Sequence, residues 1–206
     1  MRLTCTWRWL VAASWFVLLG PWGAFAQQPV PGEPSPPAPA SVAPEAWPSI
    51  AAPTLGGLQY WGDQMIFRGW RIQRHALTGH CRLLDGDNVR HAAGNFEHCA
   101  AELAKIRTRD KLPPIEGKVV ITLHGLIRTH YAMGSLARYL EDEGDYTALT
   151  FGYPSTQGEL ADFARNLAMV IDHLDPQVTE LNLVGHSMGN LVVRHYLGDC
   201  AAAGRR

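Results

Sequence analysis

The 206-residue chain carries 18 Lys and Arg residues against 19 Asp and Glu residues, and its formal net charge at pH 7 is −1. A near-neutral chain has no basic footprint for nucleic acid, so this composition excludes a nucleic-acid-binding protein. The sequence has no internal repeat, and the part that follows two unusual N-terminal segments is long enough for one hydrophobic core. One domain is therefore expected.

Residues 1–26 have the organisation of a secretory signal peptide. Arg2 and Arg8 come first, an apolar run over residues 9–19 follows, and the small residues Ala24 and Ala26 form a cleavage site. The apolar run is too short to span a bilayer, which needs about 20 residues. We therefore expect no stable membrane span, cleavage near Ala26, and export to the periplasm or the extracellular medium.

Residues 27–53 hold nine of the 14 prolines of the chain, set among Ala, Ser and Val residues. Such a segment stays extended and buries little surface, so its composition predicts a spacer. A binding site for a proline-recognition module is the alternative, because such modules bind the same extended conformation. Residues 54–206 then form the folded domain.

The first part of that domain predicts an antiparallel sheet and then a helix. Residues 70–76 and 79–84 have strand composition, are separated by two residues, and precede a turn over residues 85–88. The next element is a helix that Asn95 caps. Its apolar face comprises Phe96, Cys99, Ala100, Leu103 and Ile106.

The second part alternates buried strands with helices. The apolar runs over residues 118–123, 146–151 and 180–184 are typical of strands that are covered on both faces. A helical pattern follows each of them, and this alternation implies crossover connections and a parallel sheet. The predicted fold class is α/β, with a mostly parallel sheet and helices on both faces. Thr156 and Glu159 have the spacing of a capping box for the second of these helices.

The sequence GHSMG, residues 185–189, lies where the third buried strand meets its helix. A strand that turns into a helix within a few residues forces the central residue, Ser187, into a strained conformation and lifts its hydroxyl clear of the sheet. Gly185 and Gly189 leave room for the crossing backbones. Ser187 also lies at the positive end of the following helix. This arrangement predicts a nucleophile, with His186 in a structural contact.

A second motif, LHGL, ends the first buried strand. Attack of Ser187 on an ester carbonyl places negative charge on the carbonyl oxygen, so fixed donors should face that oxygen. The backbone N–H groups of Leu126 and Met188 are predicted to be these donors. His124 is expected to order the loop and Gly125 to permit its turn, and an ordinary turn after a strand is the alternative.

The runs VVITLHGL, FGYPSTQG and LVGHSMGNLVVRHYLGD resemble the α/β-hydrolase superfamily, and secreted bacterial lipases and esterases in particular. The resemblance covers residues 118–199. It implies a carboxylic ester substrate, either a small molecule or a lipid, and an acyl-enzyme at Ser187 that needs no cofactor and no metal ion. The single-glycine oxyanion loop implies acyl chains of medium to long length. Tyr131, Met133 and Tyr153 are then candidates to line an acyl groove, and ordinary loop and core positions are the alternative.

The family places an acid and then a histidine after its nucleophile, and here the sequence departs from the pattern. Only 19 residues follow Ser187. His195 lies eight residues along the next helix, about 12 Å from the serine and on a face toward the core, and Asp199 has the same problem. We expect a serine ester hydrolase interrupted after the nucleophile helix and nearly inactive alone. Acyl transfer, and a non-catalytic binding module on the same fold, stay open.

The remaining histidines and cysteines are candidates for other roles. Cys81 and Cys99 could form a disulfide bond in an exported protein, which leaves Cys200 unpaired. His130 is expected to face solvent. A zinc site is the alternative for one cluster of histidines and cysteines, although no CxxC or HxxxH spacing supports it. The cluster comprises His75, His80, Cys81, His91, His98 and Cys99.

Overall fold

The computed structural model describes residues 52–53 and 57–204. The predicted signal peptide, and all of the predicted spacer except its last two residues, lie outside the described residues. None of the described helices is long and apolar enough to cross a membrane.

The first part of the described chain forms a five-stranded antiparallel sheet. Its strands are β1 (Ala52–Pro53), β2 (Trp61–Phe67), β3 (Trp70–His75), β4 (Cys81–Leu84) and β5 (Val89–Gly94). They lie in the order β1-β5-β4-β3-β2. The predicted antiparallel pair is confirmed as β3 and β4. The short strand β1 falls at the end of the predicted spacer, where it pairs with β5.

The second part forms a three-stranded parallel sheet flanked by helices. Its strands β6 (Gly117–Leu123), β7 (Thr147–Phe151) and β8 (Val178–Gly185) lie in the order β7-β6-β8. The protein therefore has mixed α/β content with a parallel sheet, as the alternating pattern predicted. Its helices are α1 (Phe96–Arg109), α2 (Gly134–Gly144), α3 (Leu160–Asp172) and α4 (Met188–Ala202).

The helix starts follow from local capping. The Asn95 side chain accepts a hydrogen bond from the backbone N–H of His98, so the predicted cap of α1 is confirmed. The capping box of α3 lies three residues later than predicted. Glu159 is the N-cap and Asp162 is its partner, whereas Thr156 belongs to the preceding loop. A threonine and a glutamate at box spacing were not sufficient, because the chain between them turns before the helix begins.

A buried polar cluster joins the two sheets where β2 meets the end of β7. The backbone of Asp63 donates to the carbonyl of Gly152 (2.8 Å), and the N–H of Gly152 donates to the Asp63 carboxylate (2.7 Å). The same carboxylate, which is fully buried, accepts from Arg71 (2.5 Å) and from the Gln73 amide (2.8 Å). Arg71 also donates to the carbonyl of Thr150 (2.8 Å). This cluster fixes the position of the loop that follows β7.

The two cysteines of the first part lie in the hydrophobic core. Cys81 and Cys99 are buried free thiols, so the disulfide proposed from the sequence is not formed in this structure. Burial raises the pKa of Cys81 to about 11 and that of Cys99 to about 12, so both thiols stay protonated at neutral pH.

Candidate active site

Ser187 occupies the junction between β8 and α4 in a backbone conformation that residues other than glycine rarely adopt. Its backbone has φ 50° and ψ −118°, and the residue is exposed. Backbone hydrogen bonds on both sides hold the junction: His186 donates to the carbonyl of Leu123 (2.9 Å), and Gly189 donates to the carbonyl of His186 (2.9 Å). Strain of this kind costs about 1–3 kcal/mol and persists only where surrounding contacts enforce it.

The two glycines of the GHSMG motif are required by close backbone approach. A Cβ added to Gly185 would lie 2.5 Å from the backbone nitrogen of Asn190. A Cβ added to Gly189 would lie 2.6 Å from the carbonyl oxygen of Leu123. Neither obstacle is a flexible side chain, so no larger residue fits without a shift of the backbone. The start of α4 therefore packs directly on the end of β6, and this contact positions Ser187.

The loop after β6 lies against Ser187. A Cβ on Gly125 would be 3.3 Å from the Ser187 Cβ and 2.9 Å from Nδ1 of His186. Leu126 is the next residue of this loop. Met188 is the first residue of α4, so its N–H has no acceptor within the helix. Leu126 therefore follows the glycine that contacts Ser187, and Met188 follows Ser187 in the chain; their role as oxyanion donors stays a prediction.

His124 and Tyr153 fix the backbone of this loop. Tyr153 donates its hydroxyl to the carbonyl of His124 (2.5 Å), and the two rings stack with their centroids 4.2 Å apart. His124 Nδ1 lies 2.8 Å from the carbonyl of Gly125, and its Nε2 lies 3.4 Å from the backbone N–H of Tyr153. These partners select the tautomer with the proton on Nδ1, because Nε2 must accept. Burial lowers the pKa of His124, which keeps the ring neutral.

Two further residues hold the loop from outside, and the sequence did not reveal either of them. The buried hydroxyl of Ser155 accepts from the backbone N–H of Ile127 (3.0 Å). The Gln59 side chain donates to the carbonyls of Ile127 (3.4 Å) and Arg128 (3.3 Å). Ser and Gln are common in loops. The partner of Ser155 is 28 residues away in sequence, and the more distant partner of Gln59 is 69 residues away. No local pattern could have marked them.

The residues expected at an acyl groove lie in three different settings. Tyr153 and Met133 are buried, so neither presents open surface to a ligand, and Tyr153 instead holds the His124 loop. Tyr131 is exposed and its hydroxyl accepts from the Asn88 amide (2.6 Å). Tyr131 lines a cleft of about 190 Å³ between the two sheets, and Ser187 does not line that cleft.

Two predictions about histidine side chains need correction. His130 was expected to face solvent, but it is buried, with 6% of its surface exposed. It lies against Gly152 and the Asp63 cluster, and burial with the nearby Arg71 charge lowers its pKa to about 4. His195 was placed on a face toward the core, but its side chain is partly exposed and lies 3.2 Å from Asp199, one turn along α4.

The histidines and cysteines of the first part do not converge on one point. His91 lies 2.7 Å from the Asp85 carboxylate, while His75 packs between the rings of Tyr60 and Trp61. Cys81 contacts the Gln64 side chain. Within residues 57–204, no group of three or more His, Cys, Asp and Glu side chains could hold a metal ion. The zinc alternative therefore has no structural support there.

No protein-family profile, curated protein or solved structure matches the chain.

Proposed function

We propose that this protein is a serine-dependent carboxylic ester hydrolase of the lipase and esterase type, on an α/β-hydrolase fold, with Ser187 as its nucleophile. The observation that carries the proposal is the positive φ of Ser187, 50°, at a junction where Gly125 packs against it. A structural serine has no need of such strain. A nucleophile does, because the strain presents its hydroxyl above the carboxyl end of a parallel sheet.

The geometry supports acyl transfer to the serine. Ser187 Oγ would form a bond to the ester carbonyl carbon while the carbonyl electron pair moves to oxygen. The N–H groups of Leu126 and Met188 would stabilise that oxyanion, each by about 3 kcal/mol. The base that takes the proton of the attacking serine hydroxyl gives it to the alcohol as the intermediate collapses, and the acyl-enzyme remains. Water then attacks the acyl-enzyme to release the carboxylic acid and regenerate Ser187.

The serine hydroxyl still needs a base. In the part of the chain that the structure describes, Ser187 makes no side-chain hydrogen bond, and so no histidine accepts its proton. We propose that the imidazole and its carboxylate partner come from outside the described residues. Loss of the histidine costs roughly a million-fold in kcat in a serine protease. The 206-residue chain alone should therefore be nearly inactive.

The absence of a base bonded to Ser187 among the described residues also favours a second candidate, a non-catalytic binding module on this fold. A module without a base would retain the Ser187 junction as structure only. The two candidates differ in the chemistry of the hydroxyl once a base is supplied.

Hydrolysis of p-nitrophenyl butyrate, with and without added imidazole, distinguishes them. We expect the wild-type chain and Ser187→Ala to give equal rates in buffer. Added imidazole should raise the wild-type rate above that of Ser187→Ala under the same conditions, because it supplies the missing base. Equal rates at every imidazole concentration would favour the binding module. A wild-type rate well above Ser187→Ala without imidazole would place the base within the chain, and His195→Ala would then be the first variant to test.

A further inference from the structure

The cleft between the two sheets is lined by polar side chains that the proposed hydrolysis does not use. Its volume is about 190 Å³, and Ser187 does not line it. A cavity of about 150 Å³ accommodates benzene, so this cleft has room for a molecule of about eight non-hydrogen atoms. Three of the residues that line it, Arg71, Asp85 and His130, determine which molecule suits it.

Arg71 has two hydrogen-bond donors that no described residue uses. Its Nη1 donates to the Asp63 carboxylate (2.5 Å) and to the carbonyl of Thr150 (2.8 Å), and its Nη2 donates to the Thr150 hydroxyl (2.8 Å). Thr150 therefore lies on the edge between the two Nη atoms. The Nε–H and the second Nη2–H remain, and they form a fork on the adjacent edge of the guanidinium. Such a fork binds both oxygens of a carboxylate.

His130 is a buried polar side chain whose imidazole has no hydrogen-bond partner in the described part of the chain. In that part, the enclosed side-chain atoms that lack a partner are His98 Nε2 and Thr122 Oγ1. The ring nitrogens of His130 and the Nε of Arg71 are not among them, so these atoms reach an accessible surface, and the cleft is the surface that both residues line. Burial lowers the pKa of His130 to about 4, so its neutral ring offers a ligand one donor and one acceptor.

Asp85 contributes a carboxylate to the same cleft. Its Oδ1 accepts from the backbone N–H groups of Asp87 (3.0 Å) and Val89 (2.9 Å), and its Oδ2 lies 2.7 Å from Nε2 of His91. A carboxylate has about four acceptor positions, so one position on Oδ2 remains. Burial raises the pKa of Asp85, but these hydrogen bonds bring it below its ordinary value, and the group is ionised at neutral pH.

The charges at the cleft match a ligand that carries both signs. Asp63 already balances Arg71, so a simple anion on the Arg71 fork would face the negative charge of Asp85 without compensation. Arg71 pairs with Leu84 across β3 and β4, and Asp85 is the next residue, so the two groups lie within the span of a small molecule. A ligand with a carboxylate at Arg71 and an ammonium group at Asp85 leaves neither of its charges unpaired.

We propose that this cleft binds a small zwitterion, a free α-amino acid of about the size of valine, with its carboxylate on the Arg71 fork and its ammonium group at Asp85. His130 supplies a further hydrogen bond to the ligand, which explains why a buried imidazole has no partner among the described residues. The start of α2 at Gly134 also lines the cleft, and the positive end of a helix stabilises a carboxylate. The site is separate from the proposed hydrolysis, because Ser187 takes no part in it.

Binding of three matched ligands to the full chain tests the proposal, with affinities measured by ligand-observed NMR titration at neutral pH. L-Valine carries both charged groups, isovalerate lacks the ammonium group, and isobutylamine lacks the carboxylate. We expect L-valine to bind about tenfold more tightly than either analogue, because each analogue leaves one group of the protein without its partner. These ligands test the wild-type chain, whether or not a variant folds.

Asp85→Asn removes the charge but retains an oxygen that accepts from Asp87 and Val89. It should bind L-valine about tenfold more weakly and should no longer prefer L-valine to isovalerate. Asp87→Asn is the matched control, because it removes the same charge from an exposed position of the same turn that does not line the cleft. It should bind L-valine like wild type.

Three results would overturn the proposal: equal affinity of wild type for L-valine and isovalerate, no L-valine binding at millimolar concentrations, or wild-type L-valine affinity in Asp85→Asn. Ser187→Ala should bind L-valine like wild type. Failure of the amino-acid site and failure of the proposed hydrolase are therefore distinguishable.

Discussion

Burial lowers the pKa of both His124 and His130, so both rings are neutral at neutral pH. His124 lies in the loop beside Ser187, and His130 lies against the Asp63 cluster. Both ring nitrogens of His124 face backbone groups that suit only the Nδ1-protonated form. Protonation of Nε2 would place a proton against the N–H of Tyr153. His130 is buried near Arg71, which disfavours a second positive charge. The loop that carries the proposed oxyanion donor is therefore sensitive to acid.

We expect the free energy of unfolding to fall as the pH decreases below about 6.5, the value for an unfolded histidine. The folded pKa of both histidines is lowered, to about 4 for His130, so the unfolded chain binds more protons in this range. Their contribution is fully present above the unfolded pKa and is lost as the pH falls. Each histidine adds a slope of at most about 1.4 kcal/mol per pH unit. Urea unfolding at pH 7.5, 6.0 and 5.0 measures it.

His130→Gln is the control for this prediction, because glutamine does not titrate. The variant should lose part of the pH dependence between pH 6.5 and 5.0. Identical slopes in wild type and His130→Gln would show that His130 takes up no proton on unfolding, and the account of its buried, neutral state would be wrong.

At the scale of elements, β6 and β8 differ in how well they are covered. β6 pairs with a strand on each side, and residues 119–123 are all buried. β8 pairs only with β6 among the described strands, and its Val184 is exposed. Leu191 of the adjoining helix α4 is exposed as well. An apolar strand with an open edge is a template for pairing with another chain.

The chain should therefore self-associate as its concentration rises. Val184→Lys should reduce this association, because a charged side chain on an edge strand opposes strand addition. Sedimentation velocity across a concentration series measures the effect. Leu77→Lys, which places the same charge on an exposed turn between β3 and β4, should leave the association unchanged. A wild-type chain that stays a monodisperse monomer at high concentration would contradict this prediction.

Sequence patterns predicted those elements whose local composition reflects their position in the fold. The runs that became β6, β7 and β8 have the apolar composition that is typical of parallel strands, and the junction at Ser187 has a motif of its own. Burial on both faces was expected for all three runs, but in β8 only Val178 is buried, because β8 pairs with one strand among the described residues. β2 was missed because its centre contains Asp63 and Gln64, which are buried through hydrogen bonds rather than apolar character. The exposure predicted for His130 was wrong because its ring is buried against Gly152 and the Asp63 cluster, which are distant in sequence. Burial of a polar residue depends on distant partners, and sequence pattern does not show them.

At the scale of the whole molecule, the Asp63 cluster joins the antiparallel sheet to the parallel one. Among the described residues, Asp63 is the only one whose side chain forms a hydrogen bond with Gly152. Gly152 precedes Tyr153, and Tyr153 holds the His124 loop. The order of contacts runs from β2 through the end of β7 to the loop beside Ser187. The antiparallel sheet thus contributes to the site without supplying a residue to it.

Asp63→Ala should be strongly destabilising, because it leaves the Arg71 guanidinium buried without its counter-charge. Removal of one partner of a buried pair costs about 3–5 kcal/mol. Chemical denaturation at pH 7.5 measures the change in the free energy of unfolding. Glu102→Ala removes one partner of an exposed pair with Lys105 and should change little. Equal stability of the two variants would show that the Asp63 cluster does not stabilise the contact between the two sheets.

Covalent labelling with a fluorophosphonate in the presence of imidazole tests whether Ser187 is a nucleophile. Peptide mass spectrometry locates the modified residue, and Ser187→Ala is the control. We expect the phosphonyl group on Ser187, labelling that increases with imidazole concentration, and no labelling of Ser187→Ala. Labelling of another residue, or equal labelling of wild type and Ser187→Ala, would contradict it.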